Sequence, residues 1–406
     1  MTASAPDLDA VRADVEALAA MERASASEGE RASAAWIAGR LRDAGAGDVE
    51  VRPFRYQGTY AWAHALHAGA GLAALGLRGW RGAALAAGAL VSLELEASGR
   101  SQWVRRLLPA GEGANVVARI PPSGPRRATV VLAAHHDAAR TGLAWHPRIK
   151  QAAAGRQLRR RTIDPALAPF GAGLALAGAG ALLPGRAGAA ARGAAAAILG
   201  LTVAAYADIA RSPVVPGASD NATGVAAVLE LARQAAAAPV PGVELILLFP
   251  GCEESGMGGM AAWLAEAGPD LDPATTLVLG LDTLGGGRPA VLTAEATLLT
   301  QRYREEDLGL ADRGAARAGV PAPERWRLGT WTDPVLARFA GLPALSILAL
   351  GPGYLPHHHL MSDTPANVDW GSVDACIRLA AGIVAEVGAE VPRRPRPGDP
   401  PAGGAV

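Results

Sequence analysis

The chain has 406 residues, half of them hydrophobic, and its 38 Lys and Arg residues balance its 38 Asp and Glu residues. This neutral charge, with no interleaving of basic and aromatic residues, argues against a nucleic-acid or other polyanionic partner. The length is compatible with one enlarged α/β domain or two smaller domains, and the two cysteines, Cys252 and Cys376, are too few for a disulfide framework.

The first 30 residues are polar and acidic and lack the pattern of a cleaved signal peptide, so we expect this segment to be retained. Helical spacing of apolar residues predicts two helices between residues 7 and 44, and a strand follows at 49–54. Short apolar runs predict five further strands, at 115–120, 129–134, 243–249, 276–281 and 344–350. Helical patterns lie between them, at 222–237, 258–267, 300–318, 334–340 and 368–387. The alternation predicts a three-layer α/β/α sandwich with a mostly parallel, mixed sheet and ligands at the carboxyl edge of its strands.

Two stretches interrupt this alternation, and each predicts a helical hairpin inserted into the α/β domain. Residues 58–112 contain apolar segments at 60–77 and 83–93, and residues 138–214 contain apolar segments at 165–183 and 193–207. A membrane span needs about 20 apolar residues. Segment 165–183 meets that length, 60–77 barely does, and their two partners fall short. A soluble helical cap is the alternative to a membrane-inserted pair.

The distribution of basic residues predicts an orientation for inserted hairpins. Both ends of each hairpin would emerge on the side of the α/β domain. The flanks on that side carry twelve basic residues, namely Arg52, Arg55, Arg100, Arg105, Arg106, Arg148, Lys150, Arg156, Arg159, Arg160, Arg161 and Arg211. The hairpin tips carry four, namely Arg78, Arg81, Arg186 and Arg192. The positive-inside rule therefore places the α/β domain in the cytoplasm. The tail at 391–406, rich in Pro, Gly and Arg, is expected to be disordered.

Side chains of the metal-ligand type follow the ends of the predicted strands. His135 and Asp137 come directly after the run 129–134, and the Asp137 carboxylate is suited to orient a metal-bound imidazole. A strand-end histidine capped by an aspartate would explain this pair equally well. Asp220 stands in the loop GASDNATG just before a predicted helix. There it can bridge two cations or simply cap the helix.

The most specific local signal is the pair Glu253 and Glu254, directly after the apolar run 243–249. Adjacent carboxylates at a buried strand end repel each other unless a cation neutralises one of them. One of the two can then bind a metal while the other acts as general base. A solvated turn with two exposed glutamates is the alternative.

Two later segments complete a candidate two-metal site. Asp282 ends the run 276–281 and precedes three glycines, which leave room for a close approach. His357, His358 and His359 follow the run 344–350 and compete for the last ligand position. A histidine tract of this kind can also be a surface feature.

Six segments, in this order, resemble the family of di-zinc aminopeptidases that also contains glutamate carboxypeptidases and glutaminyl cyclases, metallopeptidase family twenty-eight. They are VVLAAHHDA, GASDNATGVAAVLELA, LLFPGCEESGMGG, LVLGLDTLGG, LGTWTDPVLARFAGLPALSIL and HLMSDTPANVD. The resemblance covers residues 7–57, 113–137 and 215–390, and its five-part motif set is highly specific. It implies a zinc exopeptidase domain of the phosphorylase/hydrolase-like type, interrupted by the insertions 58–112 and 138–214.

The resemblance also implies a role for each candidate. One zinc ion would be held by His135 and Asp282, the other by Glu254 and His359, with Asp220 bridging the two. Glu253 matches the general base. His359 is preferred over its two neighbours because the last ligand of the family precedes an Asp-Thr pair by four positions, and Asp363 and Thr364 stand there. The carboxylate and imidazole donors leave other divalent metals open.

Two departures from the family pattern stand out. Members often carry a tyrosine before the last histidine ligand, whereas this chain has His358, whose imidazole can donate a comparable hydrogen bond to an oxyanion. The second inserted hairpin separates His135 from Asp220, which suggests peptide substrates presented at a membrane. The expected function is therefore a di-zinc aminopeptidase acting on peptides. The alternatives are a glutaminyl cyclase-like acyltransferase and a catalytically inactive membrane receptor or scaffold of the same fold.

Overall fold

The computed structural model describes residues 5–390, so the tail at 391–406, expected to be disordered, lies outside the described residues. The helices are α1 (Leu8–Ala19), α2 (Glu28–Asp43), α3 (Ala61–Ala74), α4 (Trp80–Ala97), α5 (Pro147–Arg160), α6 (Ala168–Leu182), α7 (Gly185–Ile209), α8 (Thr223–Ala237), α9 (Gly258–Ala267), α10 (Glu305–Ala318), α11 (Pro334–Phe339) and α12 (Trp370–Glu390). The first two begin where expected from their caps, because Asp7 accepts a hydrogen bond from the amide of Ala10 and Ser27 accepts one from that of Glu30.

A single mixed sheet forms the centre of the α/β domain. Its strands are β1 (Gly47–Tyr56), β2 (Gly111–Ile120), β3 (Ser123–Ala133), β4 (Pro241–Phe249), β5 (Thr276–Leu281), β6 (Arg288–Ala296), β7 (Thr300–Arg302), β8 (Glu324–Leu328) and β9 (Ala344–Leu350). The order is β1-β2-β4-β3-β5-β9-β6-β7, with β8 paired to β6. Strands β4, β3, β5 and β9 are parallel neighbours at the centre, while antiparallel pairs flank them. The predicted α/β fold class is confirmed.

The parallel centre decides where the candidate ligands lie. Strands β4, β5 and β9 are almost wholly buried, and β3 is buried from Ala128 onward, as expected for strands covered on both faces. Their carboxyl ends lie at one edge of the sheet, because parallel neighbours run in the same direction. His135, Glu253 and Asp282 therefore emerge at that edge, each just after its strand.

Part of the strand prediction was wrong. The segment 300–318 was expected to be wholly helical, but it begins with β7, and α10 starts only at Glu305. Strands β6 and β8 were not predicted at all. In β6 the sequence RPAVLTAEA mixes Pro and Glu with apolar residues, and the glutamate is buried by tertiary contacts that local periodicity does not report.

The two insertions pack on each other. Helices α3 and α4 come from the first insertion and α6 and α7 from the second. Each contacts at least two of the others, so the four form one bundle. The bundle has its own apolar core, separate from that of the sheet. This bundle core includes Leu93, Phe170, Leu174 and Leu199. The basic segment between β3 and α6 is not part of the bundle. It forms α5, which packs on the α/β domain.

Among the described residues, one helix is long and apolar enough to cross a membrane, namely α7 with its 25 residues, and only 17% of its apolar window is buried. This differs from the expectation that 165–183 was the longest candidate. Helix α6 ends at Leu182 after 15 residues, whereas α7 continues beyond the apolar run 193–207 through Arg186 and Arg192 at the tip. The sequence prediction considered only runs without charged residues, so it did not include this extension of α7.

Candidate active site

The structure brings the five predicted ligands together around Asp220. The Nε2 atom of His135 lies 3.4 Å from Oδ1 of Asp220 and 3.9 Å from Oδ1 of Asp282. On the other side, Nε2 of His359 lies 3.4 Å from Oδ2 of Asp220 and 3.0 Å from Oε2 of Glu254. Each oxygen of the Asp220 carboxylate thus faces a different group of donors.

The chemistry of this donor set fits divalent cations. The three carboxylates and two imidazoles are largely buried, and Oε1 of Glu254 has no hydrogen-bond partner among the described residues. Burial, together with neighbouring carboxylates, raises the pKa of Glu253 well above its usual range and also raises that of Glu254. Buried carboxylates so close together need either protons or cations to be stable. Oxygen and imidazole donors of this kind suit zinc.

The roles of the three adjacent histidines are separated by geometry. The rings of His358 and His359 are stacked 3.8 Å apart and nearly parallel, at 10°. Because the lone pair of an imidazole nitrogen lies in the ring plane, two parallel rings at that spacing cannot bind the same ion. Only His359 reaches both Glu254 and Asp220, while His358 contacts Oδ2 of Asp220 at 3.4 Å. His357 instead contacts the hydroxyl of Ser362.

A comparable separation applies to His135 and its neighbour His136. His136 is fully buried behind the sheet edge, where Nδ1 contacts the Ser33 hydroxyl and Nε2 contacts the carbonyl oxygen of Ala114, both at 2.8 Å. Burial lowers the pKa of His136 to about 4. Both of its nitrogens are thus occupied by structural hydrogen bonds, which leaves His135 as the imidazole that faces Asp220.

Asp137 holds the glutamate loop in place. Its Oδ1 accepts a hydrogen bond from the amide of Glu253 at 3.0 Å, and its Oδ2 accepts from the amide of Glu254 at 3.1 Å. The same oxygen accepts from the hydroxyl of Ser25, and Oδ1 lies 3.4 Å from Nδ1 of His135. Asp137 therefore orients the predicted imidazole ligand and the two predicted glutamates at the same time.

Asp363 and Arg23 do the same for the Asp220 loop. The Asp363 carboxylate, 1% exposed, accepts from the amides of Ser219 and Asp220 at 2.8 and 3.0 Å. The fully buried guanidinium of Arg23 donates to the carbonyl oxygens of His136, Pro216 and Gly217. Sequence reasoning used Asp363 only as a spacing marker and missed Arg23. No local signal identifies this role of Arg23, because the carbonyl groups that it joins at the site lie more than 100 residues away.

Three residues in or next to the candidate ligand set have an unusual backbone conformation. Cys252, Thr283 and His359 have positive φ values of 56°, 51° and 58°. Non-glycine residues rarely adopt this conformation, and they concentrate at functional sites where the surrounding structure enforces it. Cys252 adjoins Glu253 and Thr283 adjoins Asp282, so these three residues lie in or next to the candidate ligand set.

The second insertion supplies residues that the sequence did not suggest. The ring of Trp145 lies 4.3 Å from that of His359, and Nζ of Lys150 donates to the carbonyl oxygen of His358 and lies 5.4 Å from the Trp145 ring. The loop of three histidines is thus clamped from the side of α5.

A pocket next to the ligands lies between the α/β domain and the bundle. Among its lining residues are Glu254 and His359 from the ligand set, Arg140 from the segment after His135, and Tyr60 and Ile209 from the base of the bundle. The insertions therefore form part of the wall of the cavity that reaches the candidate metal centre.

Several solved structures share the fold of this chain. The chain is similar to the aminopeptidase from Aneurinibacillus sp. strain AM-1, with 14% identity, a TM-score of 0.55 and coverage of 96% of this chain and 94% of that one. It is similar to a leucine aminopeptidase precursor from Bacteroides thetaiotaomicron VPI-5482, with 15% identity, a TM-score of 0.53 and coverage of 94% and 98%. A glutaminyl cyclase from Bacteroides thetaiotaomicron, bound to N-acetylhistamine, has 15% identity, a TM-score of 0.53 and coverage of 94% and 99%. No curated protein matches the sequence.

The fold is therefore that of the zinc aminopeptidases and their relatives. The model of peptidase family M28 matches residues 199–384, so the resemblance to metallopeptidase family twenty-eight is confirmed. This family is zinc-dependent. Two groups of residues in this chain are suited to holding a metal ion, His135 with Asp220 and Glu254, and Asp220 with His358 and His359.

Proposed function

We propose that this protein is a di-zinc aminopeptidase that hydrolyses the amino-terminal peptide bond of peptides. The observation that carries this proposal is the arrangement about Asp220. One of its oxygens faces His135, which lies near Asp282, and the other faces His359, which lies near Glu254. When bound, zinc ions supply Lewis-acid polarisation of the scissile carbonyl and lower the pKa of the attacking water.

Glu253 acts as the general base. Its carboxylate lies 4.0 Å from Nε2 of His135, and its backbone is fixed by Asp137. Burial raises the pKa of Glu253 well above its usual range, with further increases from Asp333 and Glu254, which favours proton uptake. Glu253 takes a proton from the attacking water and delivers it to the leaving amine.

His358 donates a hydrogen bond to the developing oxyanion. Its ring is stacked nearly parallel on that of His359, and its Nε2 lies 3.4 Å from Oδ2 of Asp220. Burial, and then the neighbouring His359, lower the pKa of His358 well below its usual range. The imidazole is therefore neutral near pH 7 and carries one N–H for this purpose.

The test combines turnover with metal analysis. Glu253→Gln should reduce kcat by at least about a thousandfold, because general base catalysis and water positioning are both lost, while zinc content stays unchanged. Glu266→Gln, at an exposed surface glutamate paired with Arg52, is the matched control and should keep full activity. Full activity in Glu253→Gln would refute the mechanism. A single zinc per chain, with cyclisation of amino-terminal glutamine, would favour a cyclase instead.

We also propose that the four-helix bundle anchors the protein in a membrane, with the catalytic domain in the cytoplasm. The segments 61–77, 82–93, 168–185 and 193–207 contain no Asp, Glu, Lys or Arg. Large apolar side chains face outward from this part of the bundle, including Leu66 (48% exposed), Val91 (60%) and Leu201 (72%). Clusters of exposed apolar side chains are typical of membrane or protein interaction sites.

Two further features support the anchor. An arginine packs on an exposed tryptophan at each end of the apolar region, Arg81 on Trp80 at the tip and Arg211 on Trp62 at the base. Tryptophan and arginine are favoured at both membrane interfaces. Between the helices, glycine allows close packing, since a Cβ on Gly71 would lie 2.4 Å from Leu174. Small residues at helix contacts are typical of membrane bundles.

The anchor is tested by fractionation of the full chain. Carbonate-resistant pelleting, with 168–209 protected from protease, is the expected result. Leu201→Arg should weaken membrane retention, whereas Val51→Arg, at an exposed position on β1, should not. Recovery of the unaltered protein in the soluble fraction without detergent would refute the anchor and favour a soluble cap.

A further inference from the structure

Exposed apolar side chains also surround the foot of the bundle, on the α/β domain itself. They are Trp103 (51% exposed), Leu107 (74%), Leu143 (71%), Ile149 (60%) and Leu299 (61%), which we call the base platform. They come from three segments that are distant in sequence, so only the fold collects them around the bundle.

Hydrogen bonds hold these segments against α4 and α7 of the bundle. The carboxylate of Glu94, near the end of α4, accepts from the amide of Leu299. The carboxylate of Asp208, near the end of α7, accepts from the amide of Leu143 at 2.7 Å. The indole of Trp103 donates to Ser92 of α4 at 2.9 Å. The base platform therefore lies at the level where the charge-free part of the bundle ends.

The candidate metal centre lies at the same level. Tyr60 and Ile209, at the foot of α3 and α7, line the pocket that also contains Glu254 and His359. Trp145, whose ring contacts His359, is two residues from Leu143 of the base platform. The pocket is thus directly adjacent to the surface that faces the bilayer when the bundle is inserted.

Charge on this surface matches an anionic leaflet. Arg100, Arg106 and Arg148 are exposed and lie within a few residues of Trp103, Leu107 and Ile149. Arginines next to tryptophan and leucine side chains favour the headgroup region of anionic lipids, where apolar and basic groups are satisfied together. The base platform would otherwise leave several large apolar side chains in water.

We infer that the substrates are amino termini of membrane-anchored peptides, presented within a few residues of an anionic bilayer surface. This rests on the proposed aminopeptidase function and on the bundle as anchor. The base platform settles among the headgroups and holds the pocket at their level. A peptide whose cleavable end emerges only a short distance from the membrane can then reach the metal centre, whereas an active site held far above the bilayer could not accept it.

The experiment uses the full-length protein reconstituted in vesicles of phosphatidylcholine and phosphatidylglycerol. Substrates share one amino-terminal sequence and differ in the flexible spacer to a membrane-spanning anchor, about 4, 12 or 24 residues, where 4 extended residues reach only about 14 Å. A soluble peptide without an anchor is the reference. We expect the shortest spacer to be cleaved with kcat/KM within about threefold of the longest, since the site lies close to the surface.

A variant separates proximity from general membrane attachment. Leu107→Ser combined with Leu299→Ser should lower kcat/KM for the shortest spacer about tenfold, while cleavage of the soluble peptide is unchanged, because the platform no longer enters the interface. Val51→Ser is the matched control. Cleavage restricted to the longest spacer, or an equal loss on soluble and anchored peptides, would overturn the inference. Failure to cleave even the soluble peptide would refute the proposed function beneath it.

Discussion

A buried carboxylate away from the ligand set gives a sharp prediction about stability and pH. Glu295 on β6 is fully buried, and its oxygens accept hydrogen bonds from the hydroxyl of Tyr303 and from the amide and hydroxyl of Thr332. Ser346 contacts both hydroxyl groups. No Lys or Arg pairs with Glu295 among residues 5–390. Burial is the dominant effect and raises the pKa of Glu295 from 4.5 to about 8.

This shift fixes the sign of the pH dependence. Between the unfolded pKa and the folded pKa, the folded protein holds a proton on Glu295 that the unfolded chain releases. The free energy of unfolding therefore falls as pH rises through this window. From about pH 6 to about pH 9 the loss amounts to about 2–3 kcal/mol, at roughly 1.4 kcal/mol per pH unit up to the folded pKa.

Glu295→Gln removes this dependence, because the amide cannot ionise. The substitution also replaces one acceptor oxygen by a donor, which costs about 1–2 kcal/mol at every pH. Urea unfolding of both proteins in the same detergent, measured across this pH range, should show the variant less stable at the acidic end and the difference shrinking or reversing at the alkaline end. Glu306→Gln, at an exposed position, is the control and should follow the unaltered protein. Parallel curves for the Glu295 variant and the unaltered protein would refute the reasoning.

Three further substitutions test other contacts. Asp363→Ala leaves two buried amides of the Asp220 loop without an acceptor and should lower the free energy of unfolding by about 2–4 kcal/mol. Zinc binding, measured by titration, should also weaken. An unchanged zinc affinity would contradict the positioning role of Asp363. Arg105→Ala leaves Glu96, its buried partner at 2.5 Å, without a cation, and should cost about 3–5 kcal/mol in urea unfolding; a loss below about 1 kcal/mol would show that water reaches the pair. Gly71→Val should separate α3 from α6 and lower the detergent-phase melting temperature, whereas Gly69→Ala, where a Cβ meets open space, should not.

The local sequence was sufficient for the elements that carry the ligands. The runs at 276–281 and 344–350 coincide with β5 and β9, and 129–134 and 243–249 overlap β3 and β4. All four are buried on both faces, so continuous hydrophobicity is a direct consequence of their position in the sheet. Strand β6 was not predicted because a glutamate in a short apolar run is normally taken as an exposed residue. Glu295 is buried only because Tyr303 and Thr332 donate hydrogen bonds to it.

The sequence alone determined the order of the candidate ligands and the edge of the sheet at which they meet. This is possible because parallel strands end at a common edge, so residues that follow different strands become neighbours without any further information. Only the tertiary structure decided that His358 and His359 stack in parallel, that Asp363 and Arg23 hold the Asp220 loop, and that the two hairpins form one bundle. Those features depend on contacts between segments far apart in the chain, and the periodicity of one segment carries no record of which other segment will cover it.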